Sequence, residues 1–268
     1  MEPTLDRREF QSKKTNLFII LSGIFLTNAI LAEIIGVKIF SGEKTIGLDP
    51  AGWTIFGEYV LDFNLTAGAV IWPIVFVTTD IINEYYGKKG VRKISFVTAF
   101  FIAYIFFVIA GVTKLPPAPF WLDVNTPDIE GNDFNIDYAF NVIFRQGLGI
   151  IIGSLVAFLL GQLIDVFVFQ KLRKITGPKM IWLRATGSTL VSQFIDSFVV
   201  LGIAFYIFGN WSWAQVVSVG IINYIYKFGV AILLTPVLYL GHYLIDNYLG
   251  KEIAEEMTKE ASEDTSFL

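Results

Sequence analysis

The chain reads as an all-α polytopic membrane protein, a six-transmembrane-helix bundle with both termini in the cytoplasm. Three observations lead there. Of its 268 residues, 54% are hydrophobic and only 16% charged, against roughly a quarter charged in a typical soluble domain. Six apolar stretches are each long enough to cross a hydrocarbon layer about 30 Å thick, which takes roughly 17 to 25 helical residues. Lys and Arg alternate between rich and poor connecting segments down the chain.

The stretches are Leu17–Ile35, Leu65–Ile82, Ile94–Val112, Gly147–Phe169, Ala185–Phe208 and Val216–Leu240. Each is a continuous apolar run without the alternation of a barrel strand, and a helix satisfies its own backbone where water is absent. The first run, at 19 residues, is too long for a usual signal-peptide core, so it reads as a helix. Pro73 and Pro236 predict kinks in the second and sixth helices. Counted along the chain, the connecting segments hold four Lys or Arg, then two, four, two, five, none and two. The positive-inside rule puts the rich segments, and hence both termini, in the cytoplasm. The organisation predicted is a cytoplasmic tail over residues 1–16, a transmembrane domain over 17–240 and an acidic cytoplasmic tail over 241–268. External loops 36–64 and 113–146, rich in Gly, Pro and Asp, would form short hairpins or caps. The last tail carries Glu252, Glu255, Glu256, Glu260, Glu263 and Asp264, which suggests a frayed, solvated helix end.

Composition also excludes chemistry. There is no Cys and a single His, His242, so thiolate nucleophiles, disulfides and a His- or Cys-built metal centre are out of reach. A net charge of -4 gives no basic face for nucleic acid. An intramembrane hydrolase would need Ser154 and His242 together, yet they fall at opposite ends of the bundle. The expectation is therefore a protein that is not an enzyme, whose partners are lipid and a small molecule.

The informative residues are polar groups inside the helices, because a charge at the bilayer centre costs about 2.5 to 3.5 kcal/mol on insertion scales. The second helix ends in Thr78-Thr79-Asp80-Ile81-Ile82-Asn83-Glu84-Tyr85-Tyr86-Gly87, and steps of three and four put Asp80, Asn83 and Glu84 on one face. The fourth and fifth helices share Q-x-I-D-x-F-V, with Gln162 and Asp165 in one and Gln193 and Asp196 in the other. Each pairs a strong acceptor with an amide able to donate and accept. Ser188 and Ser192 continue the Asp196 face, and Asn223 and Lys227 share a face of the sixth helix. Asn28, Arg145, Arg184 and Tyr224 are placed to support the same cavity, while Glu33 reads as merely interfacial. Gly149 and Gly153 form a G-x-x-x-G packing motif. Deep acids outnumber the one deep base, so one carboxyl is expected to be protonated or wetted, the route by which proton coupling would enter.

The stretch from Asn28 through Val37-Lys38, Phe63 to Gly68, Pro73 and the Thr79-to-Gly87 string, with the two Q-x-I-D helices, resembles the queuosine precursor transporter family, also called the vitamin uptake transporter family. The resemblance implies a six-helix inner-membrane importer of 7-deazaguanine precursors, similar in shape to the substrate-binding subunits of energy-coupling-factor transporters. It implies no cofactor and leaves a homodimer or an energising partner open; the first helix, with no A-x-x-x-A, favours a solitary carrier. Its substrate set would be Asp80, Asn83, Glu84, Gln162, Asp165, Gln193, Asp196, Asn223 and Lys227. Either Asp196 or Asp80 would take the N–H edge of the base, with Phe167, Phe198, Tyr224 and Tyr226 available for stacking.

Overall fold

The computed structural model describes residues 7–55, 59–145, 147–176 and 180–263. Its first helix, α1 (Arg7–Ile35), buries Phe10, Leu17, Leu21, Phe25, Ala29 and Ala32. Those positions recur in steps of three, four and seven and so form one stripe. Ile19, Ile20 and Ile24 on other faces are exposed, and apolar residues left uncovered all round a helix belong against lipid.

Between α1 and the next long helix lies a small cap. Strand β1 (Ile39–Ser41) leads into α2 (Gly42–Thr45), then β2 (Trp53–Ile55), β3 (Tyr59–Leu61) and β4 (Asn64–Thr66). β1 pairs antiparallel with β4, Ile39 opposite Thr66, and β2 with β3. Glu43 ties the cap together from its interior. Its carboxylate accepts from the Phe63 N–H at 2.6 Å, the Ala51 N–H at 3.4 Å and the Ser41 hydroxyl at 2.9 Å. The Phe63 N–H foremost holds the Glu43 carboxyl below its ordinary value.

The expected second and third helices follow directly on one another as the two arms of α3 (Trp72–Val112), the chain turning between them at Gly87. Thr79 and Ser95 both reach Gln162 Oε1, at 3.4 and 3.5 Å. In a straight helix those residues would stand about 24 Å apart. The two arms of α3 therefore lie side by side, folded about Gly87. Gly87 has φ +63°, and a Cβ there would sit 2.9 Å from the Ala261 carbonyl. Both facts demand glycine.

Two expectations change here. Pro73 does not kink a helix starting at Leu65; residues 64–66 are strand, 67–70 a single 3-10 turn, and Pro73 lies in the first turn of α3, where its missing N–H is not needed. Pro236 likewise opens a helix, so the sixth stretch divides into α8 (Trp213–Leu233) and α9 (Thr235–Leu249). Before these come α4 (Pro119–Val124) and α5 (Ile136–Phe144) between α3 and the next long helix, α6 (Leu148–Thr176), and α7 (Ile181–Leu201), which runs into a π-helical turn over 202–207. Gly153 lets α6 approach the backbone of Val200 and Ala204, where a Cβ would stand 3.2 and 3.3 Å away. Among the described residues, five helices are long and apolar enough to cross a membrane: α1, α3, α6, α7 with its π turn, and α8.

As far as Glu263 the acidic tail is not frayed, and Asp264 lies outside the described residues. Residues 251–263 form α10 (Lys251–Glu263), with Ile253, Ala254, Met257 and Ala261 buried. Steps of four put Ile253, Met257 and Ala261 on one face and leave the acids to water, and that face docks on α3 at Gly87. The core then runs through α1, α3, α6, α7, α9 and α10.

Gly87→Ala is expected to lower thermal stability of the purified protein by about 1 to 3 kcal/mol, from left-handed strain and the Ala261 clash. Gly23→Ala, which meets nothing within 4 Å, should be neutral or mildly stabilising. The Glu43 contribution has a sign fixed by its lowered value: it is present above the ordinary carboxylate range and lost as pH falls through the folded one. Limited proteolysis of the 36–64 loop should accelerate below pH 4.5 in the native protein, while Glu43→Gln should be cleaved faster already at neutral pH and show a flatter pH profile.

Candidate functional site

A cavity of about 390 Å³ opens among α1, the cap, α3, α6, α7 and α8, within the range of small-molecule sites. One wall is aromatic. Trp72 and Phe76 stack at 5.9 Å and 19°, and Phe158 stands 6.0 Å from Trp72; one helical turn separates Trp72 from Phe76, which puts both rings on one face of α3.

The polar part of the lining comes from α6, α7 and α8. On α6, Gln162 and Asp165 face inward with Gly161 and Ala157, in the helical period that buries Gly153, Ala157, Gly161 and Asp165. On α7 the inward stripe is itself polar: Ser188, Thr189, Ser192, Gln193 and Ser197 are all buried. Ser192 donates to Asp165 Oδ1 at 3.2 Å, and the hydroxyls of Ser188 and Thr189 also turn to that carboxyl. Asp165 Oδ2 and Gln193 Oε1, on residues 5% and 7% exposed, meet no hydrogen-bond partner. Lys227 of α8 forms an ion pair with Asp196 of α7, and Asn223, one turn earlier on α8, lines the cavity beside it. At 21% side-chain exposure each, the paired groups are partly wet, which spares them the full desolvation of a dry ion pair.

The candidate residues of α3 lie elsewhere. Asp80, Asn83 and Glu84 do not line the cavity. Every residue from Thr78 to Tyr85 is buried, because this arm of α3 is surrounded, so neighbours in sequence meet different helices. Asn83 Oδ1 accepts from Gln170 of α6 at 2.7 Å. Glu84 accepts from Arg184 of α7 through Nε at 3.0 Å and Nη2 at 2.7 Å, with Arg173 of α6 at 3.5 Å. Arg184 also lies over the Phe169 ring, 5.8 Å from its centroid. Tyr85 donates to Asp246 of α9 at 2.6 Å, with His242 Nδ1 3.1 Å away. Burial holds His242 below its usual value, so it is neutral at pH 7; with the phenol proton committed to Asp246, Nδ1 is the donor. Tyr86 donates to the Lys14 carbonyl of α1 at 2.7 Å, and Gly87 carries α10.

Five consecutive residues thus grip five helices, α6, α7, α9, α1 and α10, in turn. Arg173 closes the knot. Where α3 turns at Gly87 the last carbonyls of its first arm lose their helical donors, and Arg173 supplies them, to Glu84 at 3.0 Å and Asn83 at 3.4 Å, while reaching Thr258 of α10 at 2.6 Å.

The remaining predicted residues divide as follows. Ser192 reaches the cavity. Arg184 and Ser188 are fully buried beside it or in the knot, and Asn28 bonds the Ile24 carbonyl of its own helix at 2.8 Å. Arg145 is exposed at the end of α5. Tyr224 packs edge-on against Phe194 at 5.3 Å, and Phe167 is exposed. Of the four rings expected to stack, Tyr226 lines the cavity. Sequence reasoning missed Trp72, Phe76 and Phe158, although the Trp-Pro-x-x-Phe spacing could have revealed the first two. It also missed Glu33, which lines the cavity opposite Ser154, and Arg173, counted as an ordinary loop base. Ser154 lies in the cavity while His242 is held by Tyr85, so no hydrolase pair forms.

Residues 66–241 match the family described as "Putative vitamin uptake transporter". A "Probable queuosine precursor transporter" of Bacillus subtilis (strain 168) is 32% identical over 188 residues, 69% of this chain and 76% of the relative. A protein of the same description from Haemophilus influenzae is 30% identical over 179 residues, 64% of this chain and 66% of its own length. The "Queuosine precursor transporter" of Escherichia coli (strain K12) is 27% identical over 202 residues, 74% and 80% of the two chains. These relatives are transporters rather than enzymes. No solved structure matches the chain.

Glu84→Gln leaves two buried guanidinium groups without their carboxylate, and unfolding stability should fall by about 3 to 5 kcal/mol, read as lost thermal stability in detergent. Replacing Glu84 and Arg184 together by Leu and Met should recover part of it. An ordinary wild-type melting temperature in Glu84→Gln would show that the knot is not what holds these helices.

Proposed function

The chain belongs to the vitamin uptake transporter family, and from that premise we propose that it is a multi-pass carrier bringing a 7-deazaguanine precursor of queuosine across the inner membrane. The observation that carries the reading is the lining of the cavity, where the acceptors of Asp165 and Gln193 share one hollow with Gln162, Asn223, Lys227 and the rings of Trp72, Phe76 and Phe158. A guanine-like edge offers adjacent N–H donors to such acceptors. Its oxygen and ring nitrogen suit Gln162, Asn223 and the ammonium of Lys227. Its flat face suits the wall of Trp72, Phe76 and Phe158. Buried acceptors that stay empty cost about 1 to 3 kcal/mol each, so a solute that fills them is selected against one that does not.

Asp196 acts in this scheme through Lys227, holding the ammonium in place. Asn83 and Glu84 serve the framework. The proposed topology is six crossings, α1, the two arms of α3, α6, α7 and α8. The knot faces the cytoplasm, because Lys13, Lys14, Lys88, Lys89, Arg92 and Lys93 lie at that end. Both tails, 1–16 and 241–268, then lie inside the cell, and the cavity opens outward beneath the β1–β4 cap. No energising partner is invoked.

The test supplies queuine-pathway bases to cells unable to make queuosine and measures the modified nucleoside in their tRNA, with and without this protein. Expression should restore it. Asp165→Asn and Gln193→Leu should each cut uptake at low substrate by roughly tenfold or more, the equivalent of one buried hydrogen bond to a charged or polar group. Asn28→Ala, off the cavity, should leave it unchanged. Restoration by both cavity variants at wild-type rate would remove the assignment, and no restoration by the wild type would remove the substrate.

A further inference from the structure

Asp80 is used neither by the cavity nor by the knot. It lies one turn before Glu84 and just past Thr79, between the two, and is 6% exposed. Its Oδ1 meets no hydrogen-bond partner, and among the described residues no ion pair reaches it. The nearby cations are spoken for, since Arg173 and Arg184 both close on Glu84. A lone carboxylate in such a place must be neutralised.

Asp80 faces a second, small void of about 20 Å³, enough for one particle the size of a water molecule. What lines that void is chemically one-sided. Besides Asp80, its polar walls are Thr186, Thr189 and Thr235. The Thr235 hydroxyl is directed at the Ala231 carbonyl at 3.5 Å, and the Thr189 hydroxyl turns to Asp165. The Thr186 and Thr235 hydroxyls stand 3.4 Å apart and share one hydrogen bond, and the lone pairs that remain on the three threonines are left for the void. The junction of α8 and α9 at Leu234 also borders it. A carboxylate and threonine oxygens around a water-sized hole are hard oxygen donors for a small, singly charged cation.

We propose that Asp80, with Thr186, Thr189 and Thr235, forms a sodium site that loads together with the substrate. Thr189 and Phe76 line both the void and the large cavity, so one residue layer separates the ion from the solute. Filling the void neutralises Asp80 and fixes Thr189, which in turn fixes Asp165 for the substrate. The coupling role rests on the transport reading above; the ion site itself does not.

Thermal unfolding of the purified full chain, titrated with NaCl against choline chloride and KCl at constant ionic strength and pH, tests the site without any substrate. Sodium alone should raise the melting temperature, by about 5 °C at a hundredfold excess over its dissociation constant. Asp80→Asn and Thr189→Val should fold, keep a helical circular-dichroism spectrum and lose that rise. A wild-type melting temperature indifferent to sodium, or one that follows pH alone, overturns the sodium site, as does an undiminished response in Asp80→Asn. In proteoliposomes a sodium gradient should drive accumulation of 7-cyano-7-deazaguanine, while Asp80→Asn still exchanges it but does not concentrate it. A sodium-dependent melting temperature with no transport of this base would leave the ion site standing and remove the substrate instead; accumulation by the wild type that ignores sodium would remove the coupling.

Discussion

A charge placed in a hydrocarbon layer must be neutralised or wetted, and this constraint organises the whole molecule. Glu84 meets it with two guanidinium groups, one gripping it bidentately, in a geometry that repays much of the cost of drying them. The pair also decides where three helices go, because α3 supplies the acid and α6 and α7 the bases. Around it residues 83–87 take one helix each, and the glycine that ends the run lets the chain turn and admits α10. The acidic tail is thereby part of the floor of the bundle.

The same three helices change character along their length. α6 carries Gln170 and Arg173 in the knot and Gln162 and Asp165 in the cavity, two turns away. α7 carries Arg184 in one and Gln193 and Asp196 in the other. At the knot both arginines find their acceptors, and of its side-chain groups Asn83 Nδ2 is left without a partner. Among the cavity's residues Asp165 Oδ2 and Gln193 Oε1 have no partner, and the Lys227–Asp196 pair is partly wet. A site that leaves buried groups unpaired is built for something to come and pair them, whereas a nearly saturated network holds shape. Since both are threaded on the same helices, a shift that reshapes the cavity has the knot as its fixed end.

Six apolar runs, a two-helix repeat of Gln and Asp, and a string of polar residues in one helix were all legible before any coordinates. Asp165, Gln193, Asp196, Asn223 and Lys227 were read as inward-facing from their spacing, and they do line one cavity. The string from Asp80 to Gly87 was harder. Helical spacing groups side chains by face, which assumes that one face is special, but an arm surrounded on all sides has none: Asn83 and Glu84, adjacent in sequence, end on α6 and α7. The prolines misled for a related reason, since a sequence shows that a helix cannot pass a proline undisturbed but not whether the helix bends there or begins there.

What the sequence by itself determined is therefore everything that follows from hydrophobicity and chain-local geometry: that the protein is helical and membrane-bound, which segments are apolar, and that its deep acids needed an explanation. Only the tertiary structure decided which acids are answered by arginines and which face an open hollow. That choice depends on partners nearly a hundred residues away, such as Arg184 for Glu84, and on the one glycine whose left-handed backbone folds α3 back on itself. No pattern within a single helix carries that information, because the electrostatic cost of a buried charge is set by what stands beside it in space.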